Sequence, residues 1–180
     1  MKQERGATLV PLGQRVDNAR RLAVADARVS GVLQTLPADR WFVERYVVFA
    51  GHSVPFLVLG ETGVFCVWRA PGPLRWRDLP FYDRIAARVK ASLPGYGGPV
   101  HAGVCRAFDV DLAARWWCRG DQPGGAWVLG LGWLLAWVEH FGPSHGLGVA
   151  DIARLRELAG PRWGQPVTDV PLSAHIPTID

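Results

Sequence analysis

Residues 54–70 read VPFLVLGETGVFCVWRA. Val54–Leu59 and Val64–Trp68 are apolar runs rich in β-formers, and Gly60-Glu61-Thr62-Gly63 between them has turn chemistry. Two such runs joined by a short glycine-bounded loop read as a β-hairpin. Neither run alternates with polar residues, so both of its faces are expected to be covered, as in the interior of an α/β sheet. With Glu61 and Thr62 as the loop, Leu59 pairs with Val64, Leu57 with Cys66 and Pro55 with Trp68. Paired residues share a face. One face then carries Pro55, Leu57, Leu59, Val64, Cys66 and Trp68.

On the N-terminal side, Trp41–Ala50 is aromatic and β-branched and reads as a strand, with Gly51-His52-Ser53 as the turn into the hairpin. Asn18–Leu36 has helical spacing through Leu22, Ala25, Val29, Val32, Leu33 and Leu36. Asp17 or Asn18 would cap it and Pro37 would stop it. Residues 1–17 show no period and read as a flexible arm.

On the C-terminal side, Pro71-Gly72-Pro73 breaks the chain. Leu74–Asp78 reads as a short edge strand, with Arg75 and Arg77 on one face and Trp76 on the other. Pro80 suits a first helical position with Asp78 as its cap, for a helix running to about Leu93 with Ile85, Ala86, Val89 and Leu93 inward. Val100–Phe108 and Trp127–Leu131 read as strands, Trp116–Cys118 as either a short strand or the end of a turn, and Trp133–Phe141 and Val149–Leu158 as helices. Residues 161–180 are proline-spaced and form a tail. The expected organisation is therefore an arm at 1–17, one α/β domain at 18–160 with a central mixed β-sheet flanked by helices, and the tail.

Composition limits the function classes. The 180 residues suffice for one core. The N-terminus lacks the apolar core of a secretory signal. The most hydrophobic stretch, Ala126–Val138, is shorter than the roughly 20 residues that span a bilayer. It reads as a strand followed by a helix, so no membrane contact is expected. Cys66, Cys105 and Cys118 form no CxxC pair, which indicates neither a zinc site nor a disulfide framework and fits a reducing cytoplasm. Cys66 is expected to be a core thiol.

Net charge is +4, and residues 69–90 carry an equal surplus: Arg69, Arg75, Arg77, Arg84, Arg88 and Lys90 against Asp78 and Asp83. That concentration suits phosphate contact, although lysine occurs only at Lys2 and Lys90 and arginine serves as the general surface cation. Of nine tryptophans, seven (41, 68, 116, 117, 127, 133 and 137) fall in expected core elements. Trp76 and Trp163 fall in loops or edges, where they could stack on bases or meet a protein. No GxSxG, P-loop or HExxH occurs, and Gly130-Leu131-Gly132 lacks the third glycine of a dinucleotide fingerprint.

The order of elements, and above all the hairpin, resembles the nuclease-related domain (NERD) family of the restriction-endonuclease-like PD-(D/E)xK group. The likeness rests on Val54–Gly60, on the Glu61-Thr62-Gly63 turn, on Val64–Ala70 with its Gly63-Val64-Phe65 start, and on Asp26, Val29, Leu33 and Leu36 ahead of Pro37. It implies a restriction-endonuclease-like α/β fold. It also implies a Mg²⁺ site, in which carboxylates hold the ion while a lysine orients the attacking water. At the corresponding positions this chain has Pro55 for the aspartate, Phe56 for the histidine that follows it, Trp68 for the glutamate and Ala70 for the lysine. Proline and tryptophan offer no hard oxygen ligand, so the expectation is a pseudonuclease with no catalytic residue, metal or cofactor. It would bind DNA or RNA through Arg69, Arg75, Arg77, Arg84 and Arg88. A scaffold subunit meeting a protein partner through Trp76, Trp163 and the tail is the competing function. A third is an active nuclease with ligands relocated to Asp26, Glu44 or Glu61.

Overall fold

The computed structural model describes residues 12–49, 51–93, 95–118, 125–140 and 149–158. Six strands form one mixed sheet: β1 (Trp41–Phe49), β2 (His52–Gly60), β3 (Gly63–Ala70), β4 (Val100–Arg106), β5 (Arg115–Trp117) and β6 (Ala126–Gly130). Their spatial order is β1-β2-β3-β4-β6-β5. β1, β2 and β3 are antiparallel neighbours, β3, β4 and β6 run parallel, and β5 closes the far edge antiparallel to β6. Helix α1 (Leu12–Leu33) and α3 (Leu134–His140) cover one face, while α2 (Leu79–Ala91) and α4 (Val149–Leu158) cover the other.

From Phe56–Val67 to the loop the hairpin register is the expected one, but the ladder stops short of the expected Pro55–Trp68 pair. Leu59 lies opposite Val64 and Leu57 opposite Cys66, and Gly60 and Gly63 flank a two-residue loop. The positive φ falls on Gly63 (139°), just past the loop, rather than on Glu61 or Thr62. Both strands are interior, so their side chains divide between two cores. Leu57, Leu59, Val64, Cys66 and Trp68 pack beneath α2 with Ile85 and Val89. Phe56, Val58, Phe65 and Val67 pack beneath α1 with Ala25, Val29 and Leu33. Each fully buried side chain of this size contributes about 1.5–3 kcal/mol relative to exposure. Phe65 anchors the α1 side, edge-on to Trp137 at 5.0 Å between centroids and stacked on His101 at 5.1 Å.

Several boundaries differ from the sequence reading. Helix α1 begins at Leu12, so Asp17 and Asn18 lie inside it rather than at its start, residues 12–17 of the expected arm are helical, and residues 1–11 lie outside the described residues. It ends at Leu33, after which Thr35 and Leu36 donate backbone hydrogen bonds to Val32 and Leu33 in a tightening turn ahead of Pro37. Trp76–Asp78 is a 3₁₀ turn and not an edge strand. The Asp78 amide closes it on the Arg75 carbonyl at 2.9 Å. Pro80 then opens α2, so helix-start chemistry overrides the alternating Arg-Trp-Arg pattern. Asp78 precedes the helix but its side chain makes no capping bond. Trp116 and Trp133, expected in the core, are each 46% exposed, because β5 is a short edge strand and Trp133 lies in a 3₁₀ turn (Leu131–Trp133). The 161–180 tail and Trp163 lie outside the described residues.

One rung of the sheet breaks the alternation. Arg45 pairs with Phe56, and Val47 pairs with Val54, so the register is unshifted across Tyr46 and Pro55. Phe56 faces α1, yet Val47 and Val54 both face α2. Residues two apart in a regular strand share a face, so both strands reset their facing at the 46/55 rung. Pro55 has no N–H to give there. Opposite it, Tyr46 takes the left-handed conformation with φ of 55°, which costs a non-glycine residue about 1–2 kcal/mol.

Candidate functional site

That rung builds a polar cluster around one buried carboxylate. Because alternation fails at Tyr46, the consecutive side chains of Arg45 and Tyr46 reach one carboxylate, Asp26 on α1. Arg45 Nη2 donates to Asp26 Oδ2 at 2.5 Å, and the Tyr46 hydroxyl donates to the same oxygen at 2.6 Å. Arg69, from β3, brings its Nε to 2.8 Å from Oδ1, an ion pair that is misaligned as a hydrogen bond. The Asp26 side chain is only 8% exposed, whereas Arg45 is 44% and Arg69 18% exposed. Both guanidinium groups lie over the Tyr46 ring, and Arg45 also covers Phe56. Burial first, and then the hydrogen bond it donates to Asp26, raises the pKa of the Tyr46 hydroxyl and keeps it protonated. The cluster opens on a groove of about 490 Å³ between α1 and the edge strand β1.

The four degenerate motif positions do not form a site with Asp26. Trp68 and Ala70 belong to the α2-side core, where Trp68 is 6% exposed and its ring lies 5.1 Å from that of Tyr82. Phe56 belongs to the opposite core, and Pro55 is buried at the broken rung. The acids named for a relocated metal site are also dispersed. Glu44 pairs across the strands with Leu57 and so faces α2, away from Asp26. Glu61, in the hairpin loop, is bound by Arg40, with Nε to Oε1 at 2.6 Å, and that bond lowers its pKa. Among the described residues no group of three His, Cys, Asp or Glu is placed to hold a metal ion.

The five arginines expected on one surface separate. Arg69 turns to the α1 side and pairs with Asp26, which corrects its grouping with the others. Arg75 is half-buried, and Arg77, Arg84 and Arg88 are exposed on the 3₁₀ turn and α2. Arg84 and Arg88, four apart, share a helix face. The carboxylate of Asp83 is drawn away from them, accepting from the Gly125 amide at 2.8 Å. Trp76, 56% exposed, lies in the same 3₁₀ turn as Arg77. Sequence reasoning picked out Asp26 but missed Arg45 and Tyr46. Their signal was the charged Glu44-Arg45 pair interrupting the apolar run of β1.

Comparison with known proteins adds one likeness. No family model matches the chain, and no solved structure matches it. The human vesicular acetylcholine transporter is 30% identical over 141 residues, covering 69% of this chain and 24% of the transporter. The chain thus spans about a quarter of that relative's length. Among the described residues no helix is long and apolar enough to cross a membrane.

Proposed function

We propose that this chain is a non-catalytic, restriction-endonuclease-like module of the NERD type that binds nucleic acid through the surface formed by Arg75, Arg77, Arg84 and Arg88. The carrying observation is that Arg77, Arg84 and Arg88 are exposed on the turn and helix that follow β3 and have no acidic partner among the described residues. Unneutralised arginines grouped in this way suit phosphate contacts, and exposed Trp76 offers a stacking platform beside them. The non-catalytic part is supported by the positions matching the family's ligands, where Trp68 and Ala70 are packed into the α2-side core.

Fluorescence anisotropy with labelled single- and double-stranded oligonucleotides tests the binding. Affinity is expected to fall steeply between about 50 and 200 mM salt. The Arg77→Ala/Arg84→Ala/Arg88→Ala variant should flatten the log–log salt slope by roughly two to three, at about 0.7–0.9 for each lost phosphate contact. Absence of binding at 50 mM salt overturns the nucleic-acid reading and favours a protein-interaction module, for which the exposed Trp76, Trp116 and Trp133 would be the contacts. Mg²⁺- or Mn²⁺-dependent cleavage that Asp26→Ala or Glu44→Ala abolishes would overturn the non-catalytic part.

A further inference from the structure

We propose that the groove between α1 and β1 is a binding site for a phosphate-bearing ligand of about nucleotide size, its phosphate held by Arg45 and Arg69. The volume, about 490 Å³, lies within the range of small-molecule sites. The α1 wall is built from small residues one turn apart, Ala19, Ala23, Ala27 and Gly31, so a flat body can lie close to the helix. No atom lies within 4 Å of the position a Cβ would take on Gly31, so that stretch of wall is open.

The charge arrangement selects the ligand. Two guanidinium groups and one carboxylate leave a surplus of one positive charge. Arg45 uses Nη2 and Arg69 points Nε at Asp26. Apart from Asp26 and the Tyr46 hydroxyl, no acceptor among the described residues meets their remaining N–H groups. A planar carboxylate matches one guanidinium fork, whereas a phosphate monoester has three oxygens and can accept from two guanidinium groups at once. Asp26, which itself lines the groove, holds both arginines, and both guanidinium groups lie over the Tyr46 ring. Their side-chain entropy is therefore largely lost before a ligand arrives. Ser30 and Gln34, further along the same wall, supply polar contacts for the rest of the ligand.

The site is separate from the α2 surface, so its test is independent of the one above. Calorimetric titration of the intact chain uses inorganic phosphate, AMP, adenosine, and oligonucleotides with a 5′-phosphate or a 5′-hydroxyl. AMP is expected to bind and adenosine to bind at least about tenfold more weakly, as loss of charge-assisted hydrogen bonds requires. Binding of the 5′-phosphorylated oligonucleotide tighter than AMP assigns the phosphate to a strand end, and the reverse order assigns it to a free nucleotide. Gly31→Phe fills the groove from an exposed helical position. It should weaken AMP about tenfold or more, by occupying the ligand's place, while leaving the unfolding midpoint near wild type. Arg45→Met should do the same. No heat and no shift of the Arg69 Nε resonance with either phosphate or AMP would overturn the proposal. So would adenosine binding as tightly as AMP, or a folded Gly31→Phe variant with unchanged affinity.

Discussion

At the scale of single residues, Asp26 holds together three elements that approach it from different directions. Its carboxylate lies almost wholly inside the fold and is compensated by Arg45, Arg69 and Tyr46. Removing one member of a buried ion pair costs more than the pair contributes, because the partner is left charged and desolvated. Asp26→Ala should therefore lower stability by about 2–4 kcal/mol, with Arg69 as the stranded group. Arg45→Ala should cost less than about 1 kcal/mol, since its 44% exposed head is hydrated and screened. Tyr46→Phe should cost about 1–2 kcal/mol for the lost hydroxyl bond to a charged acceptor. Urea unfolding with an unchanged denaturant slope reads all three. The order Asp26, Tyr46, Arg45 is the outcome expected, and an Arg45 loss equal to that of Asp26 would refute it.

At the scale of elements, what was legible depended on how many residues carried each signal. The β2–β3 hairpin was readable to the residue pair, because two long apolar runs and a glycine-bounded loop admit one register. Helix α2 was readable because Pro80 marks its start. The rung of Tyr46 and Pro55 was not, since a single left-handed residue within the strand moves the following side chains to the other face. The Arg45–Tyr46–Asp26 meeting depends on that one backbone angle, and so only Asp26 and Arg69 of the candidate site were picked out, and not as partners. Helix–sheet contact was equally hidden at Gly103 of β4, where a Cβ would stand 2.4 Å from the Trp137 ring. The missing side chain lets α3 lie against the strand. Gly103→Ala should destabilise by about 1–3 kcal/mol through overpacking. Trp137→Leu in the same chain should recover part of that loss, giving a coupling of about 0.5 kcal/mol or more in a double-mutant cycle. Strict additivity would show that the ring moves freely aside.

In the molecule as a whole, the two-sided sheet buries ionisable groups whose charged forms desolvation disfavours, and this weakens the fold in alkali. Cys66 and Cys105 lie in opposite cores, each fully buried. Desolvation pushes the Cys105 thiol up to about 12 and the Cys66 thiol higher still, against an ordinary value near 9.0. The unfolded chain thus releases two protons as pH passes 9 that the native chain retains. A raised native pKa gives stability that is whole below the unfolded value and declines above it. Integrating two such thiols from pH 8 to pH 10 gives a loss of roughly 3 kcal/mol. Tyr46, Tyr82 and Tyr96 are also raised, chiefly by burial, and steepen the decline above pH 10. Urea unfolding at pH 8, 9 and 10 measures this fall. Cys66→Ala and Cys105→Ala each leave a cavity and lower stability at every pH, but each should also remove about half of the thiols' contribution to the fall between pH 8 and 10. The change with pH, rather than the absolute stability, carries the test. A fall unaltered in the double variant would mean that the thiols ionise within the folded state or that other groups dominate the alkaline limb.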